Sequence, residues 1–548
     1  FNNLMMRKKI IIPFVAAVLF GAAGFTTVVK SDFFEIAKQL EIFTSLYKEL
    51  NMNYVDKVSP SALMDNAIKG VLEDLDPYTV YWNEQAVEDA RIKNSGVYTG
   101  VGASMRYKDK QLVVVEVFEN YPADKAGLRA GDLIIKIDQV SVSSYEDDPR
   151  ELIKGAAGSR VEVVYSRQGK TNTAFVTRGA VEVSAVPYYT LINQDIGYIV
   201  LSKFNNKTTS QTKSALEDLK LQGAKKIILD LRGNPGGLLN QAIGVVNLFV
   251  PKGEVITTTQ SVIEKYNKVY KTTAEPFDVD IPLAVLVNGR SASASEIVSG
   301  GLQDLDRGVI VGARSFGKGL VQRPKNLTYG SQLKVTISRY YTPSGRCIQA
   351  LDYWNRDENG DPVRLDPKKY NAFKTKGGRT VYDGGGILPD IEIETAKFSP
   401  ITTALLKENA IFNYATQYRY DNNIERWEDF SFTDKDFQGF LKYLKNSDFD
   451  FETQTELKFK QALRRAEDDG LRKQIQSSFK GLMASIKGAK KQKITEKKGE
   501  IIALLKAEIL KQYFYSSGLY AYQVINNPEI RAAVEVLNNE SKYRKILK

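Results

Sequence analysis

The chain of 548 residues contains no histidine, and that absence narrows its chemistry before any motif is read. A Ser-His-Asp triad, a papain-like Cys-His pair and a histidine-built zinc site each need a group titrating near neutral pH or a neutral nitrogen ligand, so all three are excluded. What survives for a hydrolase is a serine with a lysine base. Cysteine is almost as scarce. Cys347 is alone, so it forms no internal bridge, and disulfide usage does not reveal the compartment. Proline and glycine are modest at 17 and 40 residues, and the apolar share of 43% excludes a disordered tail; a chain of this length and core content implies several domains.

Charge is absent from one long run. Arg7, Lys8 and Lys9 precede IIIPFVAAVLFGAAGFTTVV, Ile10 to Val29, and Lys30 follows at once. A basic flank, an apolar stretch and small residues at Ala22 and Ala23 fit an export signal, while about 20 apolar residues also suffice to span a bilayer, so a cleaved signal and an uncleaved anchor are both open. The basic N-terminal side leaves the body outside the cytoplasm, in the periplasm. The net charge of +11 is thinly spread until KGAKKQKITEKKGE at 487–500. That segment lacks interleaved aromatics and any nucleic-acid module, so it reads as a solvated helix face or an electrostatic footing near anionic lipid, and nucleic acid is not expected as a partner.

After a leader over 1–32, residues 33–94 carry apolar positions at helical spacing and are expected to form a few helices. Residues 95–183 change to short β-rich runs, LVVVEVF and VEVVYSR among them, between Gly and Pro turns, which describes a compact β domain. From 184 to 397 strand and helix signals alternate strictly, the pattern of an α/β core around a buried sheet. Helical periodicity returns over 398–548. Its amphipathic stretches need partners for their apolar faces, so this region is expected to pack on the core or to form a subunit interface. No internal repeat suggests a solenoid.

Three segments carry chemistry. In SASASE, 291–296, Ser293 follows the apolar strand PLAVLVNG and opens a helical run, where backbone N–H groups point outward and would supply oxyanion donors. Ser293 and Glu296 also spell S-x-x-E, a capping box that any helix uses; a cap alone does not explain the small-residue run or the lysine that follows. Lys318 lies in SFGKGLVQ beside Phe316, Leu320 and Val321, and desolvation of an ammonium favours the neutral amine that a base requires. A strand from Lys318 to Gln322 would put these two residues on one face, with the Gln322 amide orienting the amine. Last, DLRGNPGG at 230–237 ends the strand KKIILD ahead of a helix, and its glycines permit a backbone that aims N–H groups at a ligand, so that Gly237 and Ala294 could share an oxyanion hole. An NPGG turn alone is ordinary.

Together SASASEIVSG, VGARSFGKGLVQ, DLRGNPGG and YYTPSGR resemble the carboxyl-terminal processing peptidases, the PDZ-containing serine proteases of peptidase family S41. The resemblance implies a crotonase-like α/β protease core with a β-rich PDZ domain, N-terminal helices and a C-terminal helical extension. It implies Ser293 as nucleophile, which sets Ser291 and Ser295 aside, with Lys318 as base and Gln322 completing the triad. It also implies the amides of Gly237 and Ala294 as oxyanion donors, Gly236 being the neighbour one residue away. YTGVGASM at 98–105 resembles the carboxylate-binding loop of PDZ domains, so Tyr98, Thr99, Gly100, Val101 and Gly102 are the expected peptide contacts. YPADKAGLRAGDLIIKIDQVSV at 121–142 resembles the helix and strand that follow. A PDZ groove takes an extended peptide by strand addition and holds its terminal carboxylate with backbone amides.

The expected activity is a serine endopeptidase that cuts proteins near their C-termini through an acyl-enzyme, with no metal or organic cofactor. Its expected partners are proteins or peptides with free apolar C-termini and, through the N-terminal segment, a membrane; an adaptor protein and a homo-oligomer are both compatible with it. The alternatives are a non-catalytic PDZ scaffold that binds C-termini and a small-molecule-binding protein on a crotonase-like core. Some 35 mostly polar residues between YYTPSGRCIQ and GGGILPDIEI, together with the long helical extension, depart from the family's usual course.

Overall fold

The computed structural model describes residues 33–358, 360–394, 398–447, 449 and 451–548; the expected leader lies outside the described residues. The chain divides into two compact units, Phe1–Tyr81 and Trp82–Lys548. In the first, a helix over 33–53 is followed by a second, Pro60–Glu73. The second helix starts where the Ser59 hydroxyl accepts from the Ala62 amide and Pro60, with its preset φ, fills the first turn.

The second unit opens with the helix Glu84–Ser95, capped by Asn83, and enters the β-rich domain. Its antiparallel sheet runs Ala103–Lys108, Gln111–Val117, Leu133–Ile137, Arg160–Arg167, Lys170–Thr177, with Ala103–Lys108 at one edge. The AGLRAGD segment is organised by Asp132. This carboxylate has no exposed surface, accepts from the Arg129 amide at 2.7 Å and pairs with the Arg167 guanidinium at 2.7 Å.

The α/β core is a six-stranded sheet whose spatial order follows the chain: β1 (Tyr188–Ile192), β2 (Ile196–Val200), β3 (Lys226–Asp230), β4 (Leu283–Val287), β5 (Val309–Gly312) and, after a separate hairpin of β6 (Leu320–Asn326) and β7 (Gln332–Tyr341), β8 (Ile391–Glu392). β1 is antiparallel to β2, and the remaining pairs are parallel. β2 and β4 are buried at every position, the continuous apolar run of a sheet covered on both faces. With side chains alternating, Ile199, Leu229 and Val285 face α1 (Thr208–Leu221), α2 (Leu239–Asn247) and α3 (Ala294–Asp304) in one core. Tyr198, Ile228 and Leu286 face the other way.

That second face is covered from the far end of the sequence. After α4 (Lys498–Asn526), helix α5 (Pro528–Asn538) lays Ile530, Ala533 and Leu537 against Tyr198, Ile228 and Leu286. Arg232, half-buried just after β3, holds α5 in place by pairing with Asp230 at 2.5 Å and with Glu529 at 2.9 Å; Tyr198 donates to the same Asp230 carboxylate at 2.6 Å. The rest of the C-terminal region has its own core around Tyr414, Phe437, Phe440, Leu505 and Ile509. α4 breaks at Phe514 and Tyr515, the latter at φ +58°, ψ −171°. Around the break it grips the β-rich domain: Tyr515 donates to Asp124 at 2.6 Å, Ser516 to Glu116 at 2.8 Å, and Lys511 pairs with Glu116 at 2.7 Å. The amphipathic C-terminal region thus packs on the core, the first of its two expected roles. The polar insertion forms two short hairpins, and Arg379 within it pairs with Asp306 and Asp390.

Candidate active site

Between β4 and α3 the chain turns through Asn288 to Ser293. Two of the three serines in this segment are spent on structure. Ser291 donates to the Leu231 carbonyl at 2.8 Å and accepts from the Asn288 amide at 3.0 Å, while Ser295 donates to the Asn234 carbonyl at 2.9 Å; neither has exposed surface. Ser293 differs. It is half-buried and sits at φ +54°, ψ −110°, far from the extended conformation of an ordinary N-cap. A residue with a β-carbon held in so sparse a region costs on the order of 1–3 kcal/mol, and such strain concentrates at functional positions.

Glu296 sets the geometry. Its carboxylate has no exposed surface and accepts four hydrogen bonds: from the Ser293 amide at 2.8 Å and the Lys318 amide at 2.9 Å on Oε2, and from the Gly317 amide at 2.7 Å and the Ser315 hydroxyl at 2.6 Å on Oε1. The capping-box reading accounts for only the first of these. Through the other three the same side chain ties the start of α3 to the segment carrying Lys318. Burial pushes the Glu296 carboxyl above its ordinary range, and the four donors work against that shift by favouring the charged form.

Lys318 does not begin a strand. The expected strand from Lys318 to Gln322 is replaced by β6, which starts at Leu320. The Lys318 amide is committed to Glu296 and the Gly319 amide to Gln349 Oε1 at 2.7 Å, so neither can enter a ladder. The register against β7 then shifts between Val321 and Gln322, so Lys318 and Gln322 are not related by strand alternation. Lys318 is half-buried; of its apolar flank Leu320 is buried, whereas Phe316 is 41% exposed. Gln322 donates through Nε2 to Thr336 Oγ1 at 3.1 Å.

The loop after β3 completes the arrangement. Asn234, fully buried, donates to the Leu201 carbonyl at 2.8 Å, while its own carbonyl accepts from the Ala292 amide at 3.0 Å. Its side-chain oxygen takes the Gly236 amide at 2.9 Å. A β-carbon on Gly236 would lie 2.9 Å from the Ala294 nitrogen and 3.0 Å from Ser293 Cβ, and one on Gly237, at φ +152°, would lie 2.2 Å from the Phe204 carbonyl oxygen. Glycine is therefore required at both positions, and the loop backbone abuts the N-terminus of α3. Sequence reasoning missed Asn234, Gln349 and Tyr340, whose hydroxyl donates to the Ser293 carbonyl at 3.3 Å. It also missed the three additional bonds of Glu296. Asn234, Gln349 and Tyr340 each meet a partner 30 or more residues away along the chain, which no local pattern announces.

The expected peptide contacts fall in the β-rich domain. Tyr98, Thr99 and Gly100 belong to the strand Val97–Gly100, paired with Gly179–Glu182, and burial pushes the Tyr98 hydroxyl up to about 12. Val101 is buried and its carbonyl accepts from the Ala123 amide at 2.7 Å; the Gly102 carbonyl accepts from the Phe118 amide at 2.9 Å. The five residues lead directly into the edge strand Ala103–Lys108.

Four family models match. Residues 195–353 match peptidase family S41, 99–177 a PDZ domain, 401–537 the C-terminal helical domain of a probable PDZ-protease, and 26–86 the N-terminal domain of the activating protease CtpB. The chain is 35% identical over 392 residues to a carboxy-terminal-processing protease of Bartonella bacilliformis, spanning 69% of this chain and 88% of that one. It is 33% identical over 305 residues to the carboxy-terminal processing protease CtpA of Bacillus subtilis, spanning 55% and 65%. Among solved structures it is similar to a photosystem II D1 C-terminal processing protease, at 29% identity and a TM-score of 0.35, covering 64% of this chain and 86% of that one. Among the described residues no helix is long and apolar enough to cross a membrane.

Proposed function

This chain belongs to peptidase family S41 and is a carboxy-terminal-processing serine protease, and on that premise we propose that Ser293, Lys318 and Gln322 are its catalytic triad. Lys318 Nζ takes the proton of Ser293 Oγ as the oxygen bonds to the scissile carbonyl carbon. The C–N bond then breaks, and the same proton passes to the leaving amine. Water, giving its proton to Lys318, then attacks the acyl ester and restores the serine. The observation that carries this reading is the Glu296 carboxylate, which holds the backbone amides of Ser293 and Lys318 on one oxygen. Since Nε2 of Gln322 is occupied by Thr336, its amide oxygen is the atom left to orient the amine.

The oxyanion forming on the carbonyl is received by the amides of Gly237 and Ala294. The commitment of the Gly236 amide to Asn234 supports Gly237 over its neighbour, and fixed donors of this kind act without reorganisation as charge develops. Substrates are proteins with free apolar C-termini, which add a strand to Ala103–Lys108 while the 98–102 segment holds the terminal carboxylate. The reaction takes place outside the cytoplasm, on a chain exported or anchored through residues 10–29. A scaffold that only bound C-termini would have no use for a strained serine.

Stopped-flow hydrolysis of an activated ester tests the covalent step. A burst equal to one acyl group per chain, lost in Ser293→Ala and in Lys318→Ala with the circular dichroism unchanged, is the expected result. A burst that persists in either variant rejects the triad.

A further inference from the structure

The helix Arg472–Glu496 plays no part in the chemistry above, yet it is strongly basic. It holds seven lysines and arginines and a single acid, Glu496, at its last position. Three of the basic residues are neutralised locally: Arg472 pairs with Glu467, Lys490 with Glu456 and Lys493 with Glu496. Lys473, Lys480 and Lys487 are different. All three are exposed, and none forms an ion pair among the described residues. Their spacing of seven residues drifts only about 20° per step, so they form one straight row about 21 Å long.

The positions one turn from the lysines within the row, Gln476, Ser477, Met483 and Ala484, are uncharged, while Asp469 stands before Lys473 and Lys490 and Lys491 follow Lys487. Gln476, Ser477, Ala484 and Gly488 flank the row and are exposed, while Phe479, Met483 and Ile486 are half-buried on a helix that packs beside Gln454–Asp468. No exposed aromatic side chain stands near the row to stack on a base, and no arginine fork offers bidentate phosphate recognition. A straight line of ammonium groups without ion pairs suits a planar sheet of anionic headgroups, where each lysine near the surface strengthens binding about fivefold.

We propose that Lys473, Lys480 and Lys487 dock the C-terminal helical domain of this protease on an anionic phospholipid surface. The footing is electrostatic, and it stands whether or not residues 10–29 remain attached. Its test is the acetylation rate of individual lysines in the full chain, followed by mass spectrometry, with phosphatidylcholine vesicles and with vesicles in which about a third of the lipid is phosphatidylglycerol. At about 0.1 M salt the anionic vesicles slow labelling of these three lysines at least about fivefold, Lys268 serving as the unaffected control, and about 1 M salt removes the effect. In a chain carrying Lys473→Glu and Lys487→Glu, protection at Lys480 falls to within about twofold of that on neutral vesicles, and cleavage of a short soluble peptide is unchanged. Equal labelling on the two kinds of vesicle overturns the proposal. Protection by duplex DNA and not by vesicles overturns it in favour of a nucleic-acid contact.

Discussion

Replacing Glu296 by glutamine changes one atom of the site and should disable it. The two carboxylate oxygens accept four hydrogen bonds, and an amide must turn its NH₂ toward one of the two pairs of donors. The less costly orientation puts NH₂ where Oε1 was, because the Ser315 hydroxyl can rotate to accept. That still sets the buried Gly317 amide against another donor, at a cost of about 1–3 kcal/mol. The opposite orientation orphans the amides of Ser293 and Lys318, about twice that loss by the same reasoning. In the first orientation Oε2 still holds both amides while the repelled Gly317 amide shifts the segment that carries Lys318, and in the second the start of α3 and that segment lose their common anchor; a displacement of about 1 Å between reacting groups costs roughly a hundredfold in rate. Glu296→Gln should therefore lower kcat about a hundredfold with KM little changed. The pH dependence follows from the raised Glu296 value. An acid more readily protonated in the folded state gives stability that is fully present below the ordinary glutamate range and lost as pH rises through the folded value. Glutamine cannot ionise, so the stability gap between wild type and variant should narrow from acid toward neutral pH. A variant with wild-type kcat and wild-type unfolding at both extremes would refute the reasoning.

Three further outcomes can be checked separately. Gly237→Ala forces a β-carbon to 2.2 Å from the Phe204 carbonyl oxygen and displaces the proposed oxyanion donor, so steady-state kinetics should show kcat reduced about 10²- to 10³-fold; an unchanged kcat removes Gly237 from the hole. Arg232→Ala leaves Asp230 and Glu529 without their partner and should cost about 3–5 kcal/mol in chemical unfolding, with proteolysis beginning in α5; intact resistance of α5 would contradict its role as the lid of the sheet. A substrate peptide with an amidated C-terminus should be cut more slowly than the free acid, by the equivalent of about 1–3 kcal/mol of binding, and equal rates mean that the 98–102 segment does not read the carboxylate.

The proposed catalytic residues could be named from the sequence because each sits in a short motif that resembles the family's. Which of the three serines differs was not legible in residue type, since Ser291, Ser293 and Ser295 are chemically alike and only the contacts to Leu231 and Asn234, some 60 residues earlier, occupy two of them. The Lys318 strand failed for a related reason. Alternation along a sequence presumes amides free to pair with a neighbouring strand, and those of Lys318 and Gly319 bond to Glu296 and Gln349 instead. Helical periodicity after 398 announced apolar faces in need of cover. It could not announce that α5 covers β2, β3 and β4, because the pairing of Glu529 with Arg232 spans almost 300 residues.

In the proposed mechanism Ser293, activated by Lys318, becomes acylated. A fluorophosphonate that phosphorylates nucleophilic serines, followed by peptide mapping of the SASASE segment, tests it most directly. A single adduct on Ser293 in the wild type and none in Lys318→Ala over the same interval are expected. An adduct on Ser291 or Ser295, or labelling of Ser293 at the same rate without Lys318, would contradict it.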